Sequence, residues 1–570
     1  MPGSDNQPWV GLGSDTDHRA AEGALVAAGW TPCGAGDWAI ALASPDGTLA
    51  ARISPFDPVG PLTARLYREA APTSRVPALV AHVRLEGGGD LQILDRLHPV
   101  DRADAEAFLA DLAAPTPALT ELSACLRRVH AEGERTLAWL GSVDRNPTNV
   151  MRRSDGTLVL ADPFYADGPH LYPAAVNDPD LVARTIAAVE RRHMTEIPCA
   201  GSGPWKPGEQ DTMRAALAGA DARQAAGGIA LAARFAEVVR PIVAERWPAL
   251  AFATARLGSG SDAQGLDDAT SRDHDWGLRL TLLVDDPTVV EAIDTLLEAA
   301  LPEEVAGHPV RFATTWDPLV RHKVEVATVD DFIRSRTGFH PDEMDAAAWL
   351  CTPGQAILEV AGGPVFFDSG TTLISRRDAL ASYPDDVWRH VLAAGWQRLG
   401  ADLPLVGRTA DRGDDLGSRI VAARLCTVVT LLAFVVEQRW MPYPKWTTSR
   451  LVETPLGRAV QRHLALALQA ETGAARGSAL AAAAEVVHRR QRDLGISMGP
   501  AAIEPFFDRG HLTVAAALVD ELRKPITEAV LLRRIPAGLG AIDQWSDAPA
   551  LLMAATARRA AASALRRSSP

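Results

Sequence analysis

Apolar residues recur along this chain in two rhythms, and the change of rhythm divides it. Near the start the runs are short and bounded by turn residues. Trp38–Ser44 and Thr48–Ile53 flank Pro45-Asp46-Gly47, which predicts a β-hairpin. Val80–Leu85 and Leu91–Leu97 repeat the pattern across Glu86-Gly87-Gly88-Gly89-Asp90. Helical spacing marks Leu62–Ala71, Asp104–Leu112 and Ala118–Glu132. A further helix is expected over Ile229–Glu245, then strands at Trp276–Val284, Val310–Thr314 and Lys323–Val329. From Asp342 onward the pattern is almost wholly helical. Helices are expected there over Val387–Leu399, Ser418–Arg439, Pro455–Thr472, Ala479–Leu494, Ile526–Arg534 and Ala548–Leu565. The fold class expected is α+β, in several domains, with no repeat of fixed period.

Size supports that division. At about 150 residues per domain, 570 residues allow roughly three or four. The stretch Gly201–Gly228, rich in small residues and opening on Gly-Ser-Gly-Pro, reads as a linker. The domains expected are therefore 1–200, a linker at 201–228, then 229–341 and an all-α 342–570. A hydrophobic content of 47% with 22% charged residues lets each bury a core. The net charge of −14 argues against broad nucleic-acid binding, for no basic excess exists to displace phosphate counterions. Five cysteines without Cys-x-x-Cys spacing suggest reduced thiols rather than disulfides or a zinc site. Met1-Pro2-Gly3-Ser4-Asp5 has no basic, apolar leader. The most apolar run, Leu425–Val436, is too short for a bilayer of about 30 Å and reads as a core helix. The expectation is a cytoplasmic protein with no membrane partner.

Charged residues sharpen the picture at one place. Leu257-Gly258-Ser259-Gly260-Ser261 is a Gly/Ser turn, and Asp273-His274-Asp275 follows shortly after it. Alternate residues of a strand share a face, so Asp273 and Asp275 would project together. Paired carboxylates repel, and a hard divalent cation is the usual remedy. The turn offers backbone N–H groups and hydroxyls to phosphate oxygens. This is equipment for nucleotidyl transfer: a nucleoside triphosphate with two Mg²⁺ ions, cleaved at its α-phosphorus. Glu325, on a later strand, would complete the metal set or act as general base. Lys445, after the Pro-rich turn at 442–444, would reach the triphosphate from the helical region. The plain alternatives are solvated loop acids and a solvated lysine. Glu437 is a candidate base, with an arginine partner the simpler expectation, and Trp388, Trp396, Trp440 and Trp446 read as core.

These residues resemble a known pattern. The polymerase-beta-like nucleotidyltransferase superfamily combines an apolar-Gly-Ser start, Asp-x-Asp on a strand and a third acid on a later strand. Leu257-Gly258-Ser259, Asp273-His274-Asp275-Trp276 and Val324-Glu325-Val326 resemble those three parts in order. The stretch from Ile229 onward also looks like bacterial members with an uncharacterised helical C-terminal domain, on Ser271-Arg272-Asp273-His274-Asp275-Trp276-Gly277 and Pro442-Tyr443-Pro444-Lys445-Trp446. The resemblance implies a small mixed-sheet domain, Asp273, Asp275 and Glu325 as metal ligands, and Gly258, Ser259, Gly260, Ser261 and Lys445 at the nucleotide. It also implies that a site can be completed across a homodimer. His274 departs from the pattern, standing where an apolar residue is usual.

The first domain carries a second constellation. Asp144-Arg145-Asn146-Pro147-Thr148-Asn149 is an Asp-x4-Asn loop, and Asp162 follows in Leu160-Ala161-Asp162-Pro163-Phe164. With Arg52 on a strand and Glu69 on the next helix, this resembles the kinase and aminoglycoside-phosphotransferase fold. The resemblance implies that Asp144 positions an acceptor hydroxyl while Asn149 and Asp162 hold Mg²⁺. The departures are Arg52 where lysine is usual, Ser142 in place of a histidine, no glycine-rich loop near Asp37–Ile40, and little chain after Asp162. The leading expectation is transfer of a nucleoside monophosphate, AMP from ATP, to a hydroxyl of a small-molecule acceptor. The alternatives are a small-molecule kinase, a bifunctional enzyme, and a nucleotide-binding regulatory pseudoenzyme.

Overall fold

The structure is a computed structural model describing residues 7–199, 204–225, 227–267, 276–315 and 317–567. The chain forms two compact units, one of residues 1–221 with 453–455, the other of 222–452 with 456–570.

In the first unit five antiparallel strands form one sheet: β1 (Thr31–Ala35), β2 (Ile40–Ala43), β3 (Leu49–Ser54), β4 (Leu79–Arg84) and β5 (Asp90–Asp95). Their order is β1-β2-β3-β5-β4. Both hairpins expected from the sequence are present, β2–β3 and β4–β5. Strand alternation sets the layers. Ala51 and Ile53 of β3 pack with Leu25 of helix α1 (His18–Ala27), together with Trp9 and Trp30. The other layer joins α2 (Gly60–Glu69), through Leu62, Leu66 and Tyr67, to Leu122, Leu126 and Val129 of the helix Thr120–Thr136. Arg52 alternates with Ala51 and Ile53 and takes the opposite face. Strand β1 escapes the sequence reading because Thr-Pro-Cys-Gly-Ala has neither alternation nor β-branched content beyond its threonine, and all five residues are exposed.

The stretch read as a linker requires correction. Residues Glu209–Ala225 form a helix. Small residues here mean alanine, the best helix former, and Met213, Leu217 and Ala220 make a buried stripe.

The second unit is built on a four-stranded sheet: β6 (Phe252–Ala255), β7 (Leu280–Val284), β8 (Val324–Thr328) and β9 (Val365–Asp368), in the order β8-β7-β6-β9. Strands β7 and β8 are parallel and the other pairs antiparallel. Leu280, Leu282 and Val284 face the helices Gly228–Arg246 and Val290–Ala300, while Leu283 joins Phe332, Ile333 and the large helical core. Burial on both faces explains why this segment reads as a continuous apolar run. The run Val310–Thr314 shrinks to Arg311–Phe312, paired with Arg321–His322.

Residues 342–570 are not wholly helical. Strand β9 completes the sheet by pairing with β6, and Ile503–Pro505 pairs with Leu512–Val514. The rest is helical, centred on the helices Asp385–Ala410, Asp415–Val436 and Gly473–Asp493, with Trp396, Leu425, Val429 and Val487 buried among them. Asp415–Val436 is the one helix, among the described residues, long and apolar enough to cross a membrane, and most of its apolar window is buried here. Glu437, at its end, is buried in an ion pair with Arg490.

Candidate functional site

The Gly-Ser turn grows directly out of β6. Leu257 is buried, its N–H donating to the Thr281 hydroxyl on β7 (3.3 Å). Gly258 N–H donates to the Glu359 carbonyl (2.7 Å). The chain then reverses through positive φ at Gly258 (83°) and Gly260 (114°), where a side chain is strained. Arg256 ties the turn from below. Its guanidinium makes two 2.7 Å bonds to the Asp262 carboxylate and a 2.9 Å bond to the Ser259 carbonyl. A Cβ on Gly260 would run into Asp262 Oδ1 and lie 2.8 Å from Arg256 Nη2. Gly260→Ala should therefore unseat the turn and cost about 1–3 kcal/mol of stability; a thermal melt indistinguishable from wild type would refute this.

The turn opens onto a cleft of about 560 Å³ lined by Ser259, Gly260, Ser261, Arg279, Glu325, Arg336 and Lys445, among others. The N–H groups of Ser259, Gly260 and Ser261 have no partner among the described residues. Glu325 sits on β8 opposite Thr281. Its carboxylate accepts from Arg336 Nη2 at 2.6 and 2.5 Å, and its side chain is 44% exposed. Lys445 comes in from the short helical turn Pro444–Trp446, its Nζ 4.8 Å from the Trp446 ring centroid. The fold thus brings Ser259, Gly260, Ser261, Glu325 and Lys445 to one cleft, with Gly258 buried behind the turn. Asp273, His274 and Asp275 lie outside the described residues. Asp267, a few residues before the Asp-His-Asp stretch, accepts from Gly228 N–H (2.7 Å) and the Trp276 indole (3.0 Å).

Sequence reasoning missed Arg279. It is the single charged residue within the run Trp276–Val284, and a charge inside an otherwise apolar strand segment was the available signal. It donates to the Ser259 hydroxyl (3.3 Å).

The first unit holds a separate cleft of about 820 Å³. Asn149 Nδ2 donates to Asp144 Oδ2 (2.8 Å) and to the Asp162 carbonyl (3.1 Å). Asp162 has a positive φ of 46°, a left-handed conformation that Asp adopts more readily than most residues, and its N–H donates to the Tyr67 hydroxyl (2.8 Å). Burial, followed by the Asp162 charge, pushes the Tyr67 phenol above its ordinary value. Arg52 donates to Asp57 Oδ2 (2.7 Å) and Asp162 Oδ2 (3.3 Å). Arg52, Asp144, Asn149 and Asp162 all line this cleft. Glu69 does not: in the last turn of α2, it accepts from Arg65 (2.6 Å) and Arg128 (2.7 Å). The buried Asp57 partners Arg52 instead, a role that its place in Phe56-Asp57-Pro58 did not announce. The end of β1, with Gly34, and its connection to β2, with Gly36, also line the cleft, although no glycine-rich loop was expected near Asp37–Ile40.

Comparison with known proteins gives three results. No curated protein matches the chain. Among solved structures, the crystal structure of a nucleotidyltransferase-like protein from Exiguobacterium sibiricum 255-15 is similar over 46% of this chain and 77% of that one, at 13% identity. Its TM-score of 0.24 is too low to carry an argument about the site. A family profile described as a domain of unknown function (DUF4037) matches residues 349–447, the segment that contains β9 and Lys445.

Proposed function

We propose that this chain is a Mg²⁺-dependent nucleotidyltransferase that moves a nucleoside monophosphate, AMP from ATP, to a hydroxyl of a small-molecule acceptor and releases pyrophosphate. The observation that carries the reading is the convergence of the Gly-Ser turn, Glu325, Arg279 and Lys445 on one cleft. That cleft joins backbone donors without a partner among the described residues to cations, which suits phosphate, and adds a carboxylate, which suits a metal.

The donor chemistry fits magnesium. Asp262 is committed to Arg256, Asp317 to Lys323 and Arg321, and Glu325 to Arg336; of these three described lining carboxylates Glu325 faces solvent most, its side chain 44% exposed. Asp273 and Asp275 would hold the ion with it. The bound ion would neutralise phosphate charge and lower the pKa of the acceptor hydroxyl. The protein's own groups do the remainder. The N–H groups of Ser259, Gly260 and Ser261 cradle the β- and γ-phosphates. Lys445 and Arg279 balance the charge of the departing pyrophosphate. Glu325 holds the acceptor side of the site or takes its proton. Incubating the full chain with ATP, Mg²⁺ and a panel of hydroxyl acceptors should release pyrophosphate; release of ADP alone would overturn the reading.

One observation favours a second reading, phosphoryl transfer in the first unit: Asp144, Asn149, Asp162 and Arg52 share a cleft. On that reading the product is ADP, and Asp162→Asn should lower its formation by about 10³-fold, since several kcal/mol of charge stabilisation are lost. ADP formation at the wild-type rate in that variant would exclude it.

A further inference from the structure

Among the cations lining the Gly-Ser cleft, most already have a carboxylate. Arg256 is held by Asp262 (2.7 Å), Arg336 by Glu325 (2.5 Å), Lys323 by Asp317 (2.9 Å) and Arg321 by the same aspartate (3.2 Å). Arg279 differs: no described carboxylate lies within ion-pair distance of it. Its one hydrogen bond among the described residues is to the Ser259 hydroxyl, a neutral acceptor. Its Nη1 stands 3.3 Å from the point where a Cβ on Gly260 would sit, so the guanidinium lies beside the turn, whose N–H groups at 259–261 have no partner among the described residues. Position helps to fix it there. Arg279 and Thr281 lie two residues apart, where a strand continued back from β7 presents one face, and both line the cleft.

Among the described residues this guanidinium has no carboxylate paired to it. Burial lowers its pKa, the neighbouring Arg256 charge lowers it further, and Asp262 and Glu325 only partly oppose them. The Arg256 charge is itself neutralised by Asp262 and that of Arg336 by Glu325. Among the described residues the net excess in this corner is thus positive and centred on Arg279. An anion that satisfies it must also accept from the N–H groups of the turn and sit beside the Ser259 hydroxyl. A tetrahedral oxyanion at the end of a polyphosphate has enough oxygens for all three, and guanidinium is the side chain best shaped to bind it through paired hydrogen bonds.

We infer that Arg279, with the Ser259 hydroxyl, forms the subsite for the terminal phosphate of the triphosphate and so selects triphosphates over shorter phosphate chains. The inference deepens the nucleotidyltransferase reading and rests on it for the identity of the ligand, while the oxyanion site itself stands on geometry. Arg279 is accordingly a binding and positioning residue that orients the leaving pyrophosphate.

The test uses the full-length chain and isothermal titration with two probes, inorganic tripolyphosphate and Mg²⁺-ATP, on wild type, Arg279→Gln, Arg279→Lys and Ser259→Ala. Arg279→Gln should weaken both probes by about 10–100-fold, the range of a charge-assisted hydrogen-bonded pair. Arg279→Lys should recover part of that loss, and Ser259→Ala should lose about 3–10-fold, the range of a neutral hydrogen bond. AMP affinity should not follow ATP affinity in the Arg279 variants. Unchanged tripolyphosphate affinity in Arg279→Gln would overturn the inference, as would equal losses for AMP and ATP. Wild type that binds tripolyphosphate but no nucleotide would keep the oxyanion site and overturn the nucleotide reading; wild type that binds neither would overturn both. Should Arg279→Gln melt early, the comparison between Arg279→Lys and Ser259→Ala carries the decision, and unaltered affinity in both would refute the subsite.

Discussion

Pyrophosphate release should fall by about 10³-fold or more when Asp273 is replaced by asparagine, and equally for Asp275. The amide keeps the shape of the carboxylate and removes its charge. With one carboxylate fewer, the site would give a bound magnesium ion several kcal/mol less charge neutralisation for the charge that develops on the leaving group. The loss should exceed the 10–100-fold typical of groups that only orient a ligand. Excess Mg²⁺ should restore little, because the deficit lies in charge during reaction more than in occupancy. Chelation of the metal in wild type should reproduce the defect, and added Mg²⁺ should reverse it. A turnover assay with ATP and an accepted hydroxyl substrate decides the matter: full activity in either asparagine variant would remove the nucleotidyltransferase reading.

The second large effect is structural. Arg256 and Asp262 are 2% and 4% exposed and bonded through two parallel hydrogen bonds. Such a pair adds little over apolar packing, yet removing one partner strands a buried charge and costs about 3–5 kcal/mol. Asp262→Asn should therefore destabilise the second unit by about that much. It should also lower activity, because Arg256 holds the Ser259 carbonyl and with it the turn. The chain has two units, so the comparison belongs to the transition of the second unit alone, followed in urea with separate probes. The double replacement Arg256→Met with Asp262→Leu should regain stability without regaining activity. A loss below about 1 kcal/mol for Asp262→Asn would show the pair to be dispensable.

The sequence was most informative where local chemistry and packing agreed. The hairpins around Pro45-Asp46-Gly47 and Glu86–Asp90 carry their own turn residues, and the long amphipathic helices carry their own period, so both were readable without tertiary knowledge. Ser259 and Glu325 were expected to meet from one motif that joins residues far apart in sequence, and Lys445 from the separate Pro-rich turn at 442–444; all three line one cleft. What stayed hidden depends on distant partners. Val365–Asp368 is four residues long, and its strand nature comes from the edge of β6; a run that short cannot be told from a helix fragment by periodicity. Asp57 and Glu69 both had an arginine within reach, and only the direction of α2 decided that Glu69 would face Arg65 and Arg128. Arg279 carries no local signature of its role; its place beside the turn, whose N–H groups at 259–261 have no partner among the described residues, comes from the tertiary fold.

Strand β9 has a consequence for how this protein comes to exist. The turn that follows β6 is synthesised early, yet the strand that closes the outer edge of that sheet emerges more than a hundred residues later. On the ribosome the nascent β6 must wait with a bare flank, a condition that invites wrong pairing. The helical remainder is therefore no detachable cap. The Gly-Ser turn and the segment bearing Lys445 mature together, and recombination that exchanged one without the other would leave the sheet missing a rung.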